Sequence, residues 1–105
     1  MSGVFLGNVR SINVITAVID PASVAANTTA EQTFTVPGIL PGDYVDVVKP
    51  SLNAGLAVGT ARVPAANQIA IQFINDTGSP IDAPSETWQI FVARPEAGNN
   101  NSIQS

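Results

Sequence analysis

A chain of 105 residues has room for a single domain, and its net charge of -4 comes from only four Lys and Arg against eight Asp and Glu. With no His and no Cys, it lacks the commonest general base, the usual nucleophile–base pairs and every Cys or His metal site, so hydrolase, redox and zinc chemistry are not expected. The four cations, Arg10, Lys49, Arg62 and Arg94, are too few and too scattered to neutralise a run of phosphates, so no nucleic-acid partner is expected.

Six strands are predicted in chain order, because Val, Ile and Thr fill short runs bounded by Pro, Gly, Asn and Asp. The first runs from Ile12 to Ile19 and is closed by Asp20-Pro21; the second runs from Glu31 to Val36 and is closed by Pro37-Gly38. Between them, Pro21 to Asn27 is too short for more than a turn of helix or a loop. The third, Asp43 to Lys49, follows Pro41-Gly42, a pair suited to a type II turn because Pro fixes φ and Gly accepts φ > 0. The fourth spans Leu56 to Val63, where Leu56 and Val58 share a face but Val63 falls out of phase, which predicts a bulge near Gly59. The fifth spans Gln68 to Asn75 and the sixth Glu86 to Arg94. Without helices to make parallel crossovers, the strands must be antiparallel. The expected fold is therefore all-β, an antiparallel β-sandwich or jelly roll with about six to eight strands. Residues 12–94 form that domain, 1–11 an apolar N-terminal arm, and 95–105 a polar C-terminal tail with too little apolar surface to order itself.

Alternation assigns the inward faces. Ile69, Ile71 and Phe73 oppose Ala70, Gln72 and Ile74; Trp88, Ile90 and Val92 oppose Gln89, Phe91 and Ala93; Phe34 and Val36 oppose Thr33 and Thr35. Trp88 thus belongs to the core rather than to a sugar-stacking site, and Tyr44 is the aromatic expected to face outward. No metal or cofactor site is expected. Asp43 and Asp46 lack the six to eight oxygens of a calcium site and the opposed geometry of a glycosidase pair; Asp43 caps the turn and Asp46 faces solvent. Asn27-Thr28-Thr29 and Asn75-Asp76-Thr77 match the N-glycosylation pattern, which matters only after secretion. The first ten residues lack the charged leader and apolar core of a secretory signal. No run reaches the roughly 18 apolar residues of a membrane helix, so synthesis in a cytoplasm and no membrane partner are expected. Asn75 to Pro80 reads as a polar turn.

The positive signal lies on the second faces. Val48, Ala70, Ile74, Phe91 and Ala93 stand opposite the expected core, and the arm adds Val4, Phe5, Leu6 and Val9. A small monomer rarely leaves so much apolar surface in water, and charge is depleted at interface cores. Val4, Phe5, Leu6, Val9, Tyr44, Val48, Ile74 and Phe91 are accordingly the candidate interface, for self-association or for docking on a larger assembly.

Several segments carry a resemblance: Thr16 to Val36, with its loop rich in Ala, Asn and Thr; Pro41-Gly42-Asp43; Ala61-Arg62-Val63; and Ile71-Gln72-Phe73-Ile74-Asn75-Asp76-Thr77. Together they resemble small tailed-bacteriophage virion proteins over residues 12–94. The resemblance implies a jelly-roll or immunoglobulin-like sandwich that forms homotrimers and sits on the capsid surface as a decoration or cement protein. Its partners would then be the major capsid protein and other copies of itself. The runner-up reading is a receptor- or carbohydrate-binding module of a head or tail fibre, with Tyr44 and residues 75–80 as contacts. The chain carries no coiled coil, collagen-like repeat or long shaft, which favours decoration.

Overall fold

The computed structural model describes residues 9–96. Six strands follow in order: β1 (Val9–Ile19), β2 (Thr28–Thr35), β3 (Tyr44–Val48), β4 (Leu56–Ala65), β5 (Gln68–Asn75) and β6 (Glu86–Pro95). They form two three-stranded antiparallel sheets, ordered β1-β6-β3 and β2-β5-β4. This is the expected all-β sandwich. The pairing is nested, first strand with last and second with fifth, and only β4 and β5 are neighbours in both sequence and sheet. Such wrapping suits the jelly-roll alternative, whereas an immunoglobulin sandwich would place β1 beside β2.

The strand ends differ from expectation in physically simple ways. β1 begins three residues earlier than Ile12, because Val9 pairs with Pro95 across a bulge that makes Arg10 the extra residue. The arm boundary at residue 11 therefore falls inside a strand, and Pro95, assigned to the tail, closes β6. β2 begins at Thr28 rather than Glu31, since Thr28, Thr29 and Ala30 pair with Asn75, Ile74 and Phe73. Register shifts between Val58 and Ala61, so Gly59 and Thr60 form the bulge that returns Val63 to the core face. A Cβ at Gly59 would meet the Gln72 side chain, whose Oε1 accepts from Thr60 N at 3.3 Å.

The core lies between the sheets. Ile69, Ile71 and Phe73 of β5 face Trp88, Ile90 and Val92 of β6, all buried, with Leu56, Val63, Val36 and Ile39 around them. The Phe73 ring stands edge-on between Phe34 and Trp88, with centroids 6.4 and 6.1 Å away. Trp88 is fully enclosed, and its Nε1 finds no acceptor among the described residues, which rules it out as a stacking platform.

Polar clamps hold both ends. At one end Leu40 to Asp43 make the expected turn, with Gly42 at φ +95° and Asp43 N donating to Leu40 O at 3.0 Å. Asp43 caps it, accepting from Leu40 N at 2.9 Å, and also receives Arg94 Nε and Nη2 at 2.9 and 2.8 Å. Arg94 Nη2 reaches Gly38 O as well, and Asn67 Oδ1 receives Gly38 N. The Arg94 guanidinium holds the Asp43 carboxyl below its ordinary 3.8. A carboxyl with a depressed folded pKa stabilises above its unfolded pKa, and that contribution disappears as pH falls through the folded value. Wild type should therefore lose stability on acidification below about pH 4, while Asp43→Asn should be weaker at pH 7 and show a flatter acid limb. Urea melts at several pH values check this, and parallel slopes for the two proteins would refute it.

At the other end Asn75, 1% exposed, spends its whole side chain on connections. Its Nδ2 donates to Val24 O at 3.0 Å and Ser79 O at 2.8 Å; its Oδ1 accepts from Thr77 N and Thr77 Oγ1 at 2.9 and 2.7 Å. The Asn75 to Pro80 segment is thus not merely a polar turn, as its composition suggests, but is organised by a buried side chain. Beside it Lys49 Nζ gathers Ser51 O, Asn53 Oδ1 and Glu86 Oε1 within 3.0 Å, fixing the loop after β3.

Candidate interaction surface

The two outer faces are built from different residues. On the β2-β5-β4 sheet the outward positions are Thr29, Glu31, Thr33, Thr35, Gln68, Ala70, Gln72, Ile74, Ala57 and Arg62, a polar lattice. Arg62 on β4 reaches across β5 to Glu31 on β2 in a two-pronged pair of 2.8 and 2.7 Å. That contact lowers the Glu31 pKa and raises that of Arg62. Ala70, expected to be surface, is fully buried between its register neighbours Thr33 and Arg62. This face suits water.

The outer face of the β1-β6-β3 sheet is apolar. Register sets its rows: Ile12, Ala93 and Tyr44; Val14, Phe91 and Asp46; Thr16, Gln89 and Val48; then Val18 and Thr87. Ile12, Val14, Val18, Tyr44 and Val48 are between 53% and 72% exposed, and Phe91, central in the face, is 42% exposed. Asp46 is the single charge among these positions. Strands about 4.8 Å apart rising about 3.3 Å per residue give the patch roughly 14 by 20–25 Å. At about 280–350 Å² it is the size of the largest patch on a typical monomer, which is often functional.

The predicted interface residues divide accordingly. Tyr44, Val48 and Phe91 meet on the apolar face, and Val9, 41% exposed, stands at the start of β1. Ile74 lies on the polar sheet, half-buried between Thr29 and Ala57, on the opposite side of the molecule. Alternation had grouped it with Phe91 because both oppose the core, but it cannot tell which sheet a strand joins. Val4, Phe5 and Leu6 lie outside the described residues. Ile12, Val14 and Val18 were missed, since both alternating sets of β1 are apolar and neither marks the outside.

Among the described residues no three Asp or Glu side chains converge to hold a metal ion, and no helix is long and apolar enough to cross a membrane. Glu31, Asp43 and Glu86, the acids with shifted pKa, are each engaged with a cation and all pulled downward. These are the environments of structural ion pairs, not of a poised acid or base. No family model, curated protein or solved structure matches this chain.

Proposed function

We propose that the chain is a non-enzymatic structural protein of a bacteriophage virion, a capsid decoration or cement protein that self-associates and docks on the major capsid protein at the head surface. The observation carrying this reading is the contrast between the two outer faces: one is finished for water with threonines and an ion pair, the other presents Ile12, Val14, Tyr44 and Phe91 with almost no charge. The virion assignment and the homotrimeric state rest on the sequence resemblance.

The test uses heads purified without this chain. Added wild-type protein should bind them saturably and raise their melting temperature. Phe91→Lys, which sets a charge in the centre of the apolar face without touching the core, should weaken binding by at least about tenfold, as loss of a buried aromatic anchor does. Equal binding by this variant would remove the face from the interface. Labelling of the parent virion at the tail instead of the head would remove the decoration role.

A second reading has its own support. Tyr44 is 72% exposed at the edge of the sheet, where a ring can stack on a sugar. Saturable glycan binding lost in Tyr44→Ala, with Phe91→Lys unaffected, would make the chain a carbohydrate-binding module of a fibre.

A further inference from the structure

Among the described residues the sandwich has four sheet-edge strands, and three of them are blunted. β3 has five residues, gives its Val47 N–H to Asp46 Oδ1 at 2.9 Å, is followed by Lys49-Pro50, and lies against β4. β4 carries the Gly59–Thr60 bulge and Pro64. β2 carries Glu31 in mid-strand, tied to Arg62, while Gln32 holds the backbone of Ala22 through both its N–H and its carbonyl, at 2.8 and 2.9 Å. Charge, proline, bulges and cover are the usual means of keeping an edge from recruiting another strand.

β1 has none of these between its ends. From Ser11 to Ile19 it contains no charged residue, no proline and no bulge, and among the described residues only β6 pairs with it, on one side. We propose that this free edge pairs with β1 of a second copy, antiparallel about a two-fold axis, making one six-stranded sheet β3-β6-β1-β1-β6-β3 across the dimer. The inference rests on the self-association reading and specifies its contact, with a two-fold dimer in place of the homotrimer that the resemblance implies.

The register follows from the ends of the free stretch. The bulge at Arg10 limits it on one side, and Asp20-Pro21 on the other, because proline has no N–H to donate. The midpoint of residues 10–20 is Ile15, so the axis passes between the two Ile15 residues. Three consequences agree. Outward positions meet outward positions, Ile12 opposite Val18 and Val14 opposite Thr16. Each copy's exposed Arg10 comes level with the other's exposed Asp20, giving opposite charges at both ends of the ribbon. The contact is also self-complementary, as a two-fold interface requires. With the axis perpendicular to the sheet, both apolar faces lie on the same side. Together they cover roughly 560–700 Å², approaching the ~800 Å² per partner of a standard interface, which a single face does not reach.

Light scattering and sedimentation of the full chain over a dilution series, with amide exchange read by mass spectrometry, test the proposal. Wild type should be a dimer in which exchange within residues 11–19 slows as concentration rises. Arg10→Asp, placing like charges at both ends, should weaken the dimer roughly tenfold, and Arg10→Asp combined with Asp20→Arg should restore it. Self-association with no response to the charge changes and no concentration-dependent protection in β1 would overturn the edge contact and leave the self-association reading standing. A trimer mass would overturn the two-fold arrangement in favour of the homotrimer. A monomer at every concentration would overturn both the contact and self-association.

Discussion

Replacing Asn75 with aspartate should cost the fold about 3–5 kcal/mol at pH 7, the penalty of an uncompensated buried charge. The change is nearly isosteric, so it leaves no cavity; it replaces the Nδ2 donor with an oxygen aimed at Val24 O and Ser79 O. Val24 O keeps another donor, Ile81 N, whereas Ser79 O is left with the Thr77 hydroxyl, whose one proton is also within reach of residue 75. The cost therefore comes chiefly from repulsion and desolvation of the new carboxylate. Its sign with pH follows. Burial and facing carbonyls raise the folded pKa of the new carboxyl above its unfolded value near roughly 3.9, so the deficit against wild type should be greatest at neutral pH and shrink on acidification as a protonated oxygen donates again. Urea denaturation of both proteins at pH 7 and at mildly acid pH measures it. A pH-independent deficit would show that Asn75 acts by packing alone. A loss of this size is a large share of the roughly 5–15 kcal/mol that holds a domain together.

Phe73→Ala should be of similar size, about 3–5 kcal/mol, for a different reason. Phe73 is completely buried on the central strand of its sheet and joins the two layers by edge-on contacts to Phe34 and Trp88. Truncation leaves a void bounded by two rings and by strands whose hydrogen-bonded register prevents collapse. Trp88 is the single tryptophan of the chain, so its fluorescence reports both the melt and the local change. The expected result is a lower urea midpoint with an altered native emission, because the neighbour facing the indole has gone. An unfolding free energy within about 1 kcal/mol of wild type would mean that the sheets close over the gap.

What could be read from the sequence was local. Pro41-Gly42 announced its turn because only glycine accepts the required φ cheaply. The phase break between Val58 and Val63 announced the bulge, because a period of two cannot survive an extra residue. The inward position of Trp88 followed from alternation with Ile90 and Val92, which holds whatever the neighbouring strand is. Features fixed by distant partners were not legible. Nothing in β1 says that its neighbour is β6, and with Ile12, Val14 and Val18 on one side and Ile15, Ala17 and Ile19 on the other, pattern alone cannot orient it. Asn75 was taken into a turn because Asn-Asp-Thr is turn chemistry; its burial depends on Val24, fifty-one positions away. Ile74 and Phe91 looked equivalent until sheet membership separated them.

The place of β6 at the centre of its sheet sets the order of events during synthesis. β4 and β5 are joined by the short turn at Ala66 and Asn67 and can pair as soon as both exist, with β2 adding to β5. β1 and β3 have no such partner, because the strand between them is made after all the others. Throughout that interval one sheet holds Ile69, Ile71 and Phe73 uncovered, while β1 carries two free edges instead of one. Bringing β1 to β6 also closes a loop of most of the chain, the kind of non-local step that slows β-proteins to milliseconds or seconds. The stage most open to misassociation in the cell is therefore the nascent chain awaiting its sixth strand, and overproduction is expected to fail there before it fails in the finished domain.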